Sequence, residues 1–166
     1  MLNVKLTKTD KINKPLESTI SYRIAVASDL DAVVNIENNC FDTEKFNRRQ
    51  LSYLMFKANG CCFVAIDGDK IVGYISLIKH TRRSNLRIYS LAVDASAQRK
   101  HIGQGFIEIA KAYAKENKLS SITLEVRLDN APAISLYKRN GFSETEILPN
   151  YFKYNIDAFR MKVSIE

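Results

Sequence analysis

The chain reads as a single α/β domain: a mixed, mostly antiparallel sheet of about six to seven strands with a parallel pair at its centre, flanked by about four helices. Three observations lead there. Apolar runs of strand length recur along the chain, helical periodicities fall between some of them, and the helical run over residues 103–117 stands between two such strands. A helix in that place is the crossover of a parallel pair. At 166 residues and 46% hydrophobic content, the chain can bury one substantial core. Six glycines, three prolines and no visible repeat exclude solenoids and disordered arrays.

Residues 1–17 are rich in Lys and Thr without sustained periodicity and read as a loosely ordered arm, leaving residues 18–166 as the domain. Residues 21–25 alternate as a strand, and Ser28 or Asp29 then caps a helix with recurring apolar positions Leu30, Val33, Val34 and Cys40. Residues 41–45 break it. A second helix from Asn47 carries Leu51, Leu54 and Met55 on one face, with Asn59-Gly60 as its stop. Residues 61–66 and 71–79 are strands joined by the turn at 67–70, a hairpin, and residues 86–93 form the next strand. The crossover helix has Phe106, Ile109, Ala110 and Tyr113 on one face, and residues 122–127 form the strand after it. A short helix over 131–139 has Pro132 in its first turn and Asn140-Gly141 as its stop. Two strands, 142–147 and 158–165, finish the chain, joined by an aromatic loop over 149–157.

Cys40, Cys61 and Cys62 form an odd set without the two-residue gap of zinc or redox motifs, and His80 and His101 are the only histidines. Reduced core thiols and no metal are expected. The apolar runs are broken by charges within about ten residues, too short for a membrane span. The N-terminus carries no apolar signal core, so the expectation is a cytoplasmic protein with no membrane association. A formal charge of +7 suits either nucleic acid or the steering of an anionic small molecule such as a nucleotide cofactor.

Residues 91–109, L-A-V-D-A-S-A-Q-R-K-H-I-G-Q-G-F-I-E-I, run from a strand end through a basic turn into a helix. Gly103 and Gly105 sit where that helix has just begun, a costly place for glycine unless something approaches the backbone. The first amides of a helix lack intrahelical partners and carry the positive end of its dipole, so phosphate is the expected guest. A Walker loop is excluded, because no Gly-Lys-Ser/Thr triplet occurs, and a dinucleotide fingerprint is excluded by Glu108 in place of the third glycine. The start of the crossover helix lies at the carboxyl edge of the sheet, where residues 128–130 also open, so Glu125 and Tyr137 would face the same cleft as the phosphate site.

Residues 124–142, L-E-V-R-L-D-N-A-P-A-I-S-L-Y-K-R-N-G-F, complete a pattern. From about Ser21 to its C-terminus the chain resembles the GNAT superfamily of acetyl-CoA-dependent N-acetyltransferases, and within it the bacterial ribosomal-protein-alanine N-acetyltransferase group. Gln98, Gly103 and Gly105 resemble that family's Q/R-x-x-G-x-G/A motif, with His101 in place of its first glycine. The resemblance implies acetyl-CoA as co-substrate, with the backbone of Leu91, Ala92 and Val93 pairing with the pantetheine arm. It further implies that Arg99, Lys100, His101, Ile102, Gly103, Gln104 and Gly105 hold the pyrophosphate, that Asn130 contacts the cofactor, and that Glu125 and Tyr137 are general base and general acid. The segment N-Y-F-K-Y-N-I-D-A resembles a tyrosine-rich, peptide-holding loop, with Tyr151 matching, Phe152 replacing a second Tyr, Tyr154 following, and Ile156 where an acidic residue is common. Phe41, in C-F-D-T-E-K-F, occupies the other peptide-facing loop, which lacks the Pro-Trp of the ribosomal enzymes.

Acetyl transfer needs a neutral amine, and a protein α-amino group has a pKa of about 7.7–8.0, so a modest base suffices. Glu125 shares a strand face with Thr123 and Arg127, and Tyr137 shares a helix face with Ile134. The alternatives are a solvated or Arg-paired strand carboxylate and simple core packing, respectively. The expected partners are acetyl-CoA and an amine acceptor, foremost a protein or peptide N-terminus, acting on a monomer or homodimer. A small-molecule amine or lysine side chain is the alternative acceptor. Two non-catalytic readings compete: an acetyl-CoA sensor, and a nucleic-acid module using Arg82, Arg83, Arg87, Arg99 and Lys100, which leaves the glycines, Glu125 and Tyr137 without a role.

Overall fold

The computed structural model describes residues 19–166; the arm expected over residues 1–17 lies outside them. The chain runs β1 (Ile20–Ile24), α1 (Leu30–Cys40), α2 (Arg48–Phe56), β2 (Gly60–Asp67), β3 (Lys70–Lys79), β4 (Asn85–Val93), α3 (Ile102–Glu116), β5 (Ser121–Arg127), α4 (Ala131–Arg139), β6 (Ser143–Phe152) and β7 (Ile156–Ser164). The seven strands form one sheet in the order β1-β2-β3-β4-β5-β7-β6. Every neighbouring pair is antiparallel except β4–β5. The expected mixed sheet, its central parallel pair and its α3 crossover are all present.

Alternation along the strands separates two cores. Ile75, Leu77, Leu86, Ile122 and Leu124 pack with Phe106, Ile107 and Ala110 of α3 on one face, where Tyr137 of α4 also lies. On the other face Val64, Tyr74 and Ala92 pack with Val33, Ile36 and Leu51 of α1 and α2.

One irregularity sets the geometry of the middle. Ser76 pairs with Ser90 but Leu77 pairs with Ile88, so Tyr89 is an extra residue in β4. Because side chains alternate with a period of two, this bulge moves the even-numbered residues to the other face. Leu86 and Ile88 belong to the α3 core, whereas Ala92 belongs to the α1 core. Parallel pairing of β4 with β5 extends only over residues 85–87 and 121–123. Beyond it the two strands part.

Three local expectations are corrected. Gly60 does not end α2; it opens β2, where an added Cβ would stand 1.7 Å from the Leu77 carbonyl oxygen. Asp29 does not cap α1 with its side chain; its carboxylate accepts the Val26 N–H at 2.8 Å and two Arg23 guanidinium bonds at 2.5 and 2.9 Å. The aromatic loop over 149–157 is mostly strand, because β6 and β7 extend into it across a register irregularity between Leu148 and Phe152. Only Lys153–Asn155 separates them, with Tyr154 and Asn155 at positive φ.

Asp29 is 3% exposed, and the Arg23 hydrogen bonds hold its carboxyl below its ordinary value of 3.8. A lowered folded-state pKa stabilises fully above that value and loses its contribution as pH falls below it. Asp29→Asn should therefore cost about 2 kcal/mol near neutrality. In urea titrations the gap from wild type should narrow as pH drops below 3.8. A gap independent of pH would mean that the ion pair contributes nothing.

Candidate active site

The parting of β4 from β5 opens a cavity of about 530 Å³. The faces of the sheet supply its walls from opposite sides. Glu125 comes from the polar face of β5, opposite the buried Leu124 and Val126. Tyr137 comes from α4 beneath the sheet, and the gap exposes both to the same space. Leu91, Asn130 and Phe41 also line it, so five of the expected site residues share one cleft.

The carboxylate of Glu125 lies between two arginines from the flanking strands. Arg87 of β4 reaches Oε2 through Nη2 at 2.6 Å and Nε at 2.8 Å, and Arg160, its register partner on β7, reaches Oε1 at 3.3 Å. Arg160 also pairs with Glu146, and Arg87 donates to the Tyr151 hydroxyl at 2.9 Å and covers the Tyr89 ring at 5.0 Å. Tyr151 thus touches the Glu125 network through Arg87. Tyr137 is 8% exposed, its ring 5.6 Å from that of Phe142, and burial pushes its phenol up to about 12. It remains protonated throughout the neutral range.

The turn before α3 is strained, with Arg99 at φ 68 and His101 at φ 57. Such a left-handed residue costs about 1–2 kcal/mol when it carries a Cβ. The first α3 amide bonded back into the turn is that of Gly105, to the His101 carbonyl at 3.1 Å, so the earlier amides of α3 point out of its end. Packing also closes Gly105 and crowds Gly103. A Cβ at Gly105 would stand 2.1 Å from the Tyr22 hydroxyl, and one at Gly103 would stand 3.0 Å from the Leu136 side chain. Ile102 is a core residue, Lys100 bonds Asp67 at 2.5 Å, and the Gln104 amide exchanges hydrogen bonds with Asn140 at 2.8 Å. The side chains of Ile102, Lys100 and Gln104 are thus engaged within the fold, and the amides of Ile102, Gly103 and Gln104 stay open at the helix end.

Other expected residues are placed less directly. Asn130 caps α4 by accepting the Ala133 N–H at 3.2 Å. Ala92 points into the α1 core, and the Val93 carbonyl accepts the Cys40 thiol at 3.4 Å. Tyr154 is 78% exposed and does not line the cleft; Phe152 does. The five residues of the nucleic-acid reading are spread along the chain around β4. Arg82 and Arg83 precede β4 and Arg99 follows it, while Arg87 and Lys100 are paired with acids. Among the described residues no His/Cys/Asp/Glu group could hold a metal, and no helix is long and apolar enough to cross a membrane.

Two features were not read from the sequence. Glu37 is fully buried on α1, accepts the Phe46 N–H at 2.8 Å and the Tyr74 hydroxyl, and has its carboxyl pushed up by burial. Its signal was a carboxylate following Val33 and Ile36 on the apolar stripe. Lys153 bridges the two loops around the cleft, its N–H to Glu44 at 2.8 Å and its ammonium to the Thr43 carbonyl at 2.9 Å. No sequence periodicity reports a contact between positions so far apart.

Residues 30–142 match the acetyltransferase (GNAT) family. An uncharacterised N-acetyltransferase of Methanocaldococcus jannaschii is 34% identical over 136 residues, 81% of this chain and 85% of its own. An N-alpha-acetyltransferase of Sulfurisphaera tokodaii is 35% identical over 111 residues, 60% of this chain and 66% of its own. The ribosomal-protein-S18-alanine N-acetyltransferase of Escherichia coli has the same fold, with a TM-score of 0.81 at 22% identity over 89% of this chain and 95% of that one. With a match that runs from the first residue of α1 to the residue before β6, and a relative similar over most of both lengths, the chain belongs to the GNAT family of N-acetyltransferases.

Proposed function

We propose that the protein transfers the acetyl group of acetyl-CoA to the α-amino group of a peptide or protein N-terminus. The observation that carries this reading is the cleft where β4 leaves β5 after three paired residues. The backbone of Leu91 and Val93 lies beyond that pairing, where the pantetheine arm can add as a partial strand. Its pyrophosphate would then meet the amide end of α3. The acceptor side has the opposite character. Asp42 and Glu44 line the cavity beside Glu125 and Asp129, whose charges are matched by Arg87, Arg160 and Arg127. A cationic amine is drawn to such a lining. The Lys153 bridge across the loops favours entry end-on, which suits a chain terminus, and the Sulfurisphaera relative carries the name of an N-alpha-acetyltransferase.

In the proposed reaction the amine loses a proton, its nitrogen attacks the thioester carbonyl, the C–N bond forms and the C–S bond breaks. Both Glu125 oxygens are engaged by arginines, so Glu125 takes the amine proton through a water. Tyr137 donates a hydrogen bond to the departing sulfur, which leaves as a thiolate and takes its proton from solvent. Full transfer from a phenol near 12 to a thiolate of ordinary pKa about 8.5 is uphill, so the bond matters most while charge develops on sulfur.

Three outcomes test the reading. Acetyl-CoA at about one hundred times its Kd should stabilise the fold by about 2.7 kcal/mol, and the absence of heat or thermal shift at millimolar ligand would reject the cofactor. His101→Gly relieves a left-handed Cβ and should keep or improve cofactor affinity while stabilising the fold by up to about 1 kcal/mol. A large loss of affinity would show that the imidazole itself binds phosphate. Tyr137→Phe should retain acetyl-CoA binding and lower kcat by about 10²–10⁴ at every pH, whereas the Glu125→Gln defect should shrink as pH rises past the α-amino pKa of about 7.7–8.0. Turnover is measured as free CoA thiol with a panel of N-terminal peptides, lysine side chains blocked at the N-terminus and small amines. Preference for the blocked lysines or small amines would overturn the acceptor.

A further inference from the structure

The mechanism above makes no use of Glu37, a carboxylate fully buried between α1 and the sheet. Its Oε1 accepts the backbone N–H of Phe46, in the loop between α1 and α2, at 2.8 Å. Its Oε2 accepts the Tyr74 hydroxyl, and Tyr74 Oη lies 2.9 Å from Ser90 Oγ, the residue after the β4 bulge. A second contact joins the same two places, because the Phe46 ring stacks on that of Tyr89 at 5.5 Å and 25°. The loop carrying Phe46 supplies Phe41, Asp42, Thr43 and Glu44 to the cleft wall. We propose that Glu37 is a positioning residue for the acceptor, pinning this loop to the β4 bulge so that the acceptor wall is held in register with the strand that meets the cofactor.

The physical basis is twofold. Glu37 is fully buried, so a loop that leaves it strands a buried carboxyl oxygen without the Phe46 N–H that satisfies it, and that loss is penalised. A loop ordered beforehand also spares the acceptor the entropy of ordering it on binding. Burial of the acid favours its protonated form, and the two hydrogen bonds it receives act the other way. The kinetic consequence rests on the acetyltransferase reading above; the pinning does not.

The test compares Glu37→Met, which keeps the volume and removes both oxygens, with Glu37→Gln, which keeps an oxygen for Phe46 and turns an N–H toward the Tyr74 oxygen. In Glu37→Met, amide exchange of residues 41–47 without ligand should rise about ten- to hundred-fold. The peptide KM should rise by a similar factor while the acetyl-CoA Kd stays within about twofold, and Glu37→Gln should restore both. Unchanged loop exchange in Glu37→Met, or a loosened loop with an unchanged peptide KM, overturns the proposal. If the wild type turns over no acceptor, the acetyltransferase reading fails, and loop exchange still decides the pinning. Should Glu37→Met not fold, Tyr74→Phe, which breaks the tie to Ser90, should raise loop exchange and peptide KM; no change in either overturns the proposal.

Discussion

Tyr89 has no partner on β3, and that single surplus residue accounts for much of what surrounds it. By reversing which face β4 presents, it places Ile88 in one core and Ala92 in the other, and brings Ser90 against Tyr74. A strand whose faces reverse halfway cannot stay in register with a straight parallel neighbour, and pairing with β5 ends at Arg87. The gap then lets a side chain from each face of the sheet reach one space, which a fully paired sheet would forbid. Glu125 and Tyr137 meet there because the sheet fails there.

Polar groups around the gap are kept in place by neighbours rather than by solvent. Glu125 is held between Arg87 and Arg160, Arg87 continues to Tyr89 and Tyr151, and Phe46 closes the circuit from Tyr89 back to Glu37. Members of such a network support one another's geometry, and their effects are not additive when they are removed singly. At the head of α3 the constraints are steric instead. Tyr22 closes Gly105 to side chains and Leu136 crowds Gly103, while the left-handed Arg99 and His101 direct the turn. The glycines therefore keep the helix end tight against the sheet as well as bare.

Much of this was legible in the sequence because period and spacing report local structure. The α3 stripe, the alternation around Glu125, the start of α2 at Asn47 and the stop of α4 at Asn140 are read from neighbours a few positions apart. What was not legible depends on residues distant in the chain. Gly60 looked like a helix stop, yet its requirement comes from the Leu77 carbonyl across the hairpin. The loop over 149–157 looked irregular because its aromatic and polar residues do not alternate, and pairing with β7 made most of it strand. Glu37 could not be singled out in the sequence, since its partners Phe46 and Tyr74 come from a loop and a strand that only the fold brings near.

The central claim is that the unpaired stretch of β4 and the amide end of α3 receive one ligand together. Hydrogen exchange of the intact chain with and without saturating acetyl-CoA tests it most directly, because the ligand would supply acceptors to amides that the sheet and helix leave open. The account predicts slowed exchange at residues 91–93 and at Ile102, Gly103 and Gln104 in the same titration, with the exposed face of α2 around Tyr53 unchanged. Protection confined to α2, or protection of α3 without β4, would contradict it.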